Sequence, residues 1–201
     1  MAQKQERSLE TESALLRAAL KLSLTKDSEK VTIREICTEA GVSVGAFYHH
    51  FASRQELFHR AFESFDRTLN QRMLQRIQSK PPVAALMDLL MFQVTYVSQE
   101  ASGALSYYFR TILDDPMTAS VNPDRTYYRA AYDCAHRIAD TGLLRPDCSP
   151  AILAESSIIF IRGYLLDWCL HQQKYDVVAR VRGILPVFLR SYVADSEQTN
   201  R

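Results

Sequence analysis

Between Val42 and Phe51 the order Val-Ser-Val-Gly-Ala-Phe-Tyr-His-His-Phe brings together residue types suited to one kind of chemistry. A short helix with small side chains at its start can sink into the roughly 12 Å major groove of duplex DNA and bring its backbone to the base edges. Gly45 and Ala46 supply the small side chains. Phe47 and Phe51 turn inward, which leaves Tyr48 and His49 to point at the sugar-phosphate backbone. Other chemistries find little support. Asp114-Asp115 is a carboxylate pair at a helix end before Pro116, a position that reads as a stop rather than an acid and base. No nucleophile elbow, phosphate loop or metal motif occurs, so no catalysis is expected. Cys134 with His136, and Cys169 with His171, stand two residues apart and so point about 200° apart on a helix. Neither a metal nor a cofactor is expected, and Cys37, Cys134, Cys148 and Cys169 read as free thiols.

The elements that must hold this segment are helices. Apolar residues recur every three or four positions through nearly the whole chain and nowhere alternate cleanly, so the fold class is all-α with about nine helices. Leu15, Ala18, Ala19 and Leu22 share one face of a first helix. Thr32-Ile33-Arg34-Glu35 is a capping box for the second, with Val31 and Ile36 as a hydrophobic staple. Gly41 closes that helix where a left-handed residue is wanted, and Ser43 offers the next N-cap. A third box, Ser53-Arg54-Gln55-Glu56, opens a long helix with the stripe Phe58, Phe62, Phe65, Leu69, Met73 and Ile77, ending before Lys80-Pro81-Pro82. Five more helices are expected over about 83–100, 104–113, 124–140, 150–171 and 175–193. Gly142 should close the third of these, Ser149-Pro150 start the fourth, and Pro186 kink or split the last. The expected division is 1–53 for DNA binding, 54–79 as a connecting helix and 80–201 for ligand binding and dimerisation.

Residues 11–57 resemble the DNA-binding domain of the TetR family. The resemblance rests on Thr11-x-x-Ala14-Leu15-Leu16-x-Ala18-Ala19, on Val31-Thr32-Ile33-Arg34-Glu35-Ile36, on Ala40-Gly41-Val42-Ser43-x-Gly45-x-Phe47-Tyr48-x-His50-Phe51 and on Glu56-Leu57. It implies a dimeric regulator that binds palindromic operator DNA, most often a repressor released by a small-molecule effector. Carried over residue by residue, it implies phosphate contacts from Thr32, Ser43, Tyr48, His49 and Arg54. It implies base-edge contacts from Arg34, Val44, Gly45 and Ala46. Two positions depart from the usual pattern: Val44 stands where a lysine, arginine or polar residue is common, and Arg54 replaces a lysine. Val44 offers only an apolar contact, such as a thymine methyl. Charge gives the assignment no help, since the net charge is +1 and residues 1–60 carry nine Lys or Arg against eight Asp or Glu. Attraction must come from local placement, with Lys4 and Arg7 as a candidate flexible arm.

The remaining helices are rich in aromatic side chains. Phe92, Tyr96, Tyr107, Tyr108, Tyr128, Tyr132 and Trp168 are candidate walls of a pocket for an apolar or aromatic effector, with Arg162 beside Trp168. Ile152, Ser156, Ile159 and Gly163, with Val181, Ile184 and Phe188, are the expected homodimer interface. The rival reading is a helical ligand-binding or adaptor protein that has lost DNA binding. No apolar run reaches the roughly 18 residues of a membrane span, and the cytoplasm is the expected location.

Overall fold

The computed structural model describes the backbone of residues 2–114 and 122–194, and the side chains within those ranges apart from 2–5, 62–63 and 111–114. The expectations for Lys4, Phe62, Asp114-Asp115 and the last seven residues therefore lie outside the described side chains. Among the described residues there are ten α-helices and no strand, apart from one isolated bridge between Leu144 and Val193. The all-α expectation holds. The tenth helix arises because the long connecting helix is broken: α4 spans Arg54–Arg72, Met73 leaves helical geometry at φ −130°, and α5 spans Leu74–Gln78.

The helices gather into two compact units, Met1–Phe65 with Gln99–Ser120, and Asp66–Ser98 with Val121–Arg201. In the first, α1 (Ala2–Ser23) packs on α2 (Ile33–Ala40) and α3 (Val44–His50), with the start of α4 and with α7 (Leu105–Asp114). The backbone at Lys4 and Arg7, the candidate flexible arm, is helical and part of α1. Leu15, Ile36, Phe47, Phe51, Leu57 and Phe58 are the large buried side chains of this core. The sequence-predicted caps form. The Glu35 amide donates to Thr32 Oγ1 at 3.2 Å, and the Thr32 amide donates to Glu35 Oε2 at 2.8 Å. A salt bridge from Lys26 Nζ at 2.7 Å and these Thr32 contacts hold the Glu35 carboxyl down to about 2. Thr32→Ala removes an N-cap and is expected to lower the unfolding free energy by about 1 kcal/mol in a urea titration. An unchanged midpoint would show that Glu35 and solvent cover the helix start without the hydroxyl.

Gly41 takes φ 68°, and its left-handed turn ends α2 so that α3 can leave at a new angle. Another glycine serves a different need. The stretch expected to continue one helix to about residue 100 instead changes at Val97–Ala101 into a π-helical turn and at Ser102–Ala104 into a 3-10 turn. This places Gly103 directly on the C-terminus of α1, where a Cβ would fall on the Ser23 carbonyl and lie 2.7 Å from the Leu24 amide nitrogen. Arg110 of α7 pairs with Glu29 at 2.7 Å, and the Tyr107 ring lies 5.5 Å from that of Phe58.

The second unit contains the end of α4, α5, α6 (Pro82–Tyr96), α8 (Thr126–Asp140), α9 (Pro150–Leu170) and α10 (Val177–Arg190). Two of its helix ends are capped from a distance. Asp66 of α4 accepts from the Tyr127 amide at 3.3 Å and pairs with Arg125 at 2.7 Å, supplying the cap that α8 lacks locally. Arg137 of α8 donates to the carbonyls of Ile77, Gln78 and Lys80 at and just beyond the end of α5. Ser149 caps α9 with Pro150 at its first position, as expected. Pro186 does not split α10, which remains one helix through Arg190. Both Pro186 and Arg182, whose carbonyl loses its helical donor, lie on the exposed face of α10, where solvent can take the place of the missing donor.

Candidate nucleic-acid interface

The first unit presents α3 with one buried and one exposed face. Ser43 Oγ accepts from the Ala46 amide at 3.1 Å and fixes the start of α3, while Phe47, fully buried against Phe51 at 5.6 Å, anchors its underside. With the inner face pinned, the other side chains must point out. Ser43, Val44, Gly45, Tyr48 and His49 are exposed and Ala46 is half-buried. Tyr48 is 57% exposed, an unusual position for an aromatic ring, and makes an edge contact with Phe47. No Cβ partner other than the Ser43 hydroxyl comes within 4 Å of Gly45, so the backbone there is open to a ligand.

Charge on this unit is sorted by pairing. Lys21 is held by Glu39, Lys26 by Glu35 and Arg60 by Glu12. Arg34 is exposed and its guanidinium makes no hydrogen bond or ion pair among the described residues. Arg17 and Lys30 are likewise exposed without a side-chain partner among the described residues, and Arg34 is the one of the three that lies at the start of α2. Two other expected phosphate contacts have prior engagements. The Thr32 hydroxyl donates to Glu35 Oε2 at 2.8 Å. The half-buried Arg54 donates to the carbonyls of Ser28 and Val31, the latter at 3.4 Å, and lies over the Phe58 ring. That side chain clamps the turn before α2 to α4.

The aromatic residues expected to line one pocket are distributed. Tyr107 and Tyr108 belong to α7 in the first unit, where burial raises the Tyr107 hydroxyl pKa and leaves that group without a hydrogen-bond partner among the described residues. Phe92 and Tyr96 make a ring contact on α6 at 6.3 Å, with Tyr96 buried. Trp168 is buried and donates to the Tyr175 carbonyl at 2.8 Å, which makes it an anchor of the α9–α10 turn. Tyr128 and Tyr132 share a groove of about 300 Å³ with Glu155, Ile158, Ile159 and Arg162. Arg162 donates to the Tyr128 hydroxyl at 2.6 Å, and the Tyr132 hydroxyl donates to Glu155 at 2.7 Å.

Along α9 the exposed residues Ile152, Glu155, Ile159, Gly163, Leu166 and Leu170 recur at helical spacing in one stripe. Ser156, Ile184 and Phe188 are half-buried, with Phe188 stacked on Phe160 at 4.2 Å. Val181, expected at a dimer interface, is fully buried in its own unit: with Val177, Leu185 and Leu189 it forms the inward stripe of α10. Leu166 and Leu170 escaped the sequence reading because a leucine at helical spacing is ordinarily core, and only solvent exposure distinguishes them.

Among the described residues, no helix is long and apolar enough to cross a membrane and no group of three His, Cys, Asp or Glu could hold a metal ion. The family of bacterial regulatory proteins called tetR matches residues 15–61. The HTH-type transcriptional regulator AcrR of Shigella flexneri is 24% identical over 196 residues, which cover 92% of this chain and 90% of that protein. The fold is similar to a structure solved to explain the control of antibiotic production by a bacterial hormone, with a TM-score of 0.75 and 18% identity over 92% of this chain and 98% of the other. It is also similar to NalD, the secondary repressor of the MexAB-OprM multidrug efflux pump in Pseudomonas aeruginosa, with a TM-score of 0.57 and 22% identity over 94% and 99% of the two chains. Residues 15–61 thus carry the helix-turn-helix of the tetR family of bacterial regulatory proteins, and the chain shares the fold of the regulators it resembles, which supports a DNA-binding regulator.

Proposed function

We propose that the protein is a repressor that binds a palindromic operator as a homodimer and releases it when an apolar or aromatic effector binds, acting by binding alone and not by catalysis. The observation that carries this reading is the recognition face, with Val44, Gly45, Tyr48 and His49 exposed on a pinned helix beside the unpaired Arg34. Residues 1–53 contact DNA, with Ser43, Tyr48 and His49 on phosphates and Arg34, Val44, Gly45 and Ala46 at base edges. Thr32 reaches a phosphate only by giving up its bond to Glu35, and Arg54 contributes by holding the turn before α2. Residues 54–79 connect, and 80–201 receive the effector and the second copy. The name of NalD as a repressor supports the direction of control. The groove at Tyr128 and Tyr132 is a site for the effector. By linkage, a hundredfold loss of operator affinity requires about 2.7 kcal/mol of preference for the non-binding conformation.

A gel shift against the DNA upstream of the protein's own gene tests the reading. Arg34→Ala is expected to weaken operator binding by about 1–3 kcal/mol, or about 5–150-fold, and to relax preference at one base pair in each half-site. Equal loss on all sequences would make Arg34 a phosphate contact instead. Absence of any shift with the wild-type protein and duplexes from its own locus would favour a carrier that has lost DNA binding.

A further inference from the structure

The second unit carries a groove of about 450 Å³ that the effector reading leaves unused. Its walls come from Pro81, Pro82 and Met87 at the start of α6, from Leu143 after α8, and from Pro186 and Arg190 on α10. Every lining side chain but Arg190 is apolar. Arg190 is exposed in the last turn of its helix and has no ion-pair or hydrogen-bond partner among the described residues. Asp88, the acidic residue of α6, is held by Lys80 and does not line the groove.

The volume falls in the range that encloses a small organic molecule. Three prolines fix much of the wall, so the groove keeps its shape when empty and little ordering is needed on binding. One guanidinium fork matches one carboxylate, two parallel hydrogen bonds for a single negative charge. Other occupants fit less well. Residues 195–201 (Asp-Ser-Glu-Gln-Thr-Asn-Arg) have no apolar side chain to offer. A second copy docked on Ile184 and Phe188 would miss the groove, since Pro186 stands two residues, about 200° of helix, from each of them, and Arg190 stands as far from Phe188.

We propose that this groove binds an amphipathic carboxylate, its apolar body against the prolines and Met87 and its head on Arg190. The test is calorimetric titration of the full-length protein, without DNA, with 2-naphthoate and its neutral analogue 2-naphthamide. Naphthoate is expected to bind one molecule per chain and to shift the Met87 methyl resonance. Arg190→Gln should weaken naphthoate by roughly tenfold and leave naphthamide unchanged. Met87→Trp, which fills the groove, should abolish binding of both. No binding of naphthoate at millimolar concentration overturns the proposal, as does an equal effect of Arg190→Gln on acid and amide. Binding that leaves the Met87 methyl unmoved in the unaltered protein places the ligand elsewhere and overturns it even where Met87→Trp fails to fold. Because no operator enters the measurement, failure here leaves the DNA-binding reading standing, and failure there leaves this one.

Discussion

Gly103→Ala is expected to destabilise the first unit by about 3 kcal/mol or more, at or above the upper end of ordinary overpacking, and to weaken operator binding with it. The new methyl would occupy the position of the Ser23 carbonyl, which is backbone and has no rotamer to escape into. Ser23 is itself buried, its hydroxyl donates to the Leu20 carbonyl at 2.8 Å, and it ends the helix whose Leu15, Leu16 and Ala19 make the core. Either α1 moves or residues 99–114 come away from it. Gly183→Ala is the control, since a Cβ there meets nothing within 4 Å and alanine favours a helix. Chemical denaturation should therefore separate the two alanine variants widely. A Gly103→Ala protein as stable as the wild type would show that this segment does not rest on α1.

Ile159→Asp is expected to convert a dimer into a folded monomer and to reduce operator affinity by about 10²–10⁴-fold, the range lost when two linked contacts become independent. Ile159 is 63% exposed at the middle of the α9 stripe, and Leu170, 73% exposed, lies at its end. A charge there stays in water in the monomer but must be buried, unpaired, in the dimer. Since Ile159 also lines the Tyr128 groove, Leu166→Asp provides the same insult on the stripe away from that groove. Sedimentation should show monomers for both variants with melting curves like the wild type's. A wild-type protein that sediments as a monomer at micromolar concentration would end the dimer proposal.

The recognition half was legible because its signals are local. The capping box at Thr32 and Glu35, the left-handed Gly41 and the N-cap at Ser43 are each set by a few adjacent residues, and each forms as read. What escaped depends on distant partners. Asp66 caps a helix sixty residues away, so α8 starts at Thr126 rather than at Asp124. The break at Met73 lies inside an apolar stripe that continues undisturbed to Ile77, and no proline or glycine marks it. Tyr107 and Tyr128 look equivalent in a list of aromatics, yet one is packed against Phe58 and the other bonds to Arg162 at a groove. Val181 and Ile159 both fit apolar periodicity, and only tertiary packing decides which faces solvent.

The contact of Gly103 with Ser23 also bears on how such a protein can be recombined. A single crossover after Phe65 would carry α1 to α3 into a new host and leave Gly103, Tyr107 and Arg110 behind. The transplanted head would then show water the backbone at the end of α1, the ring of Phe58 and the carboxylate of Glu29, each now covered or paired. Operator specificity travels intact only with two inserts, the second bringing residues 99–114 or a host segment with a glycine in register to meet Ser23.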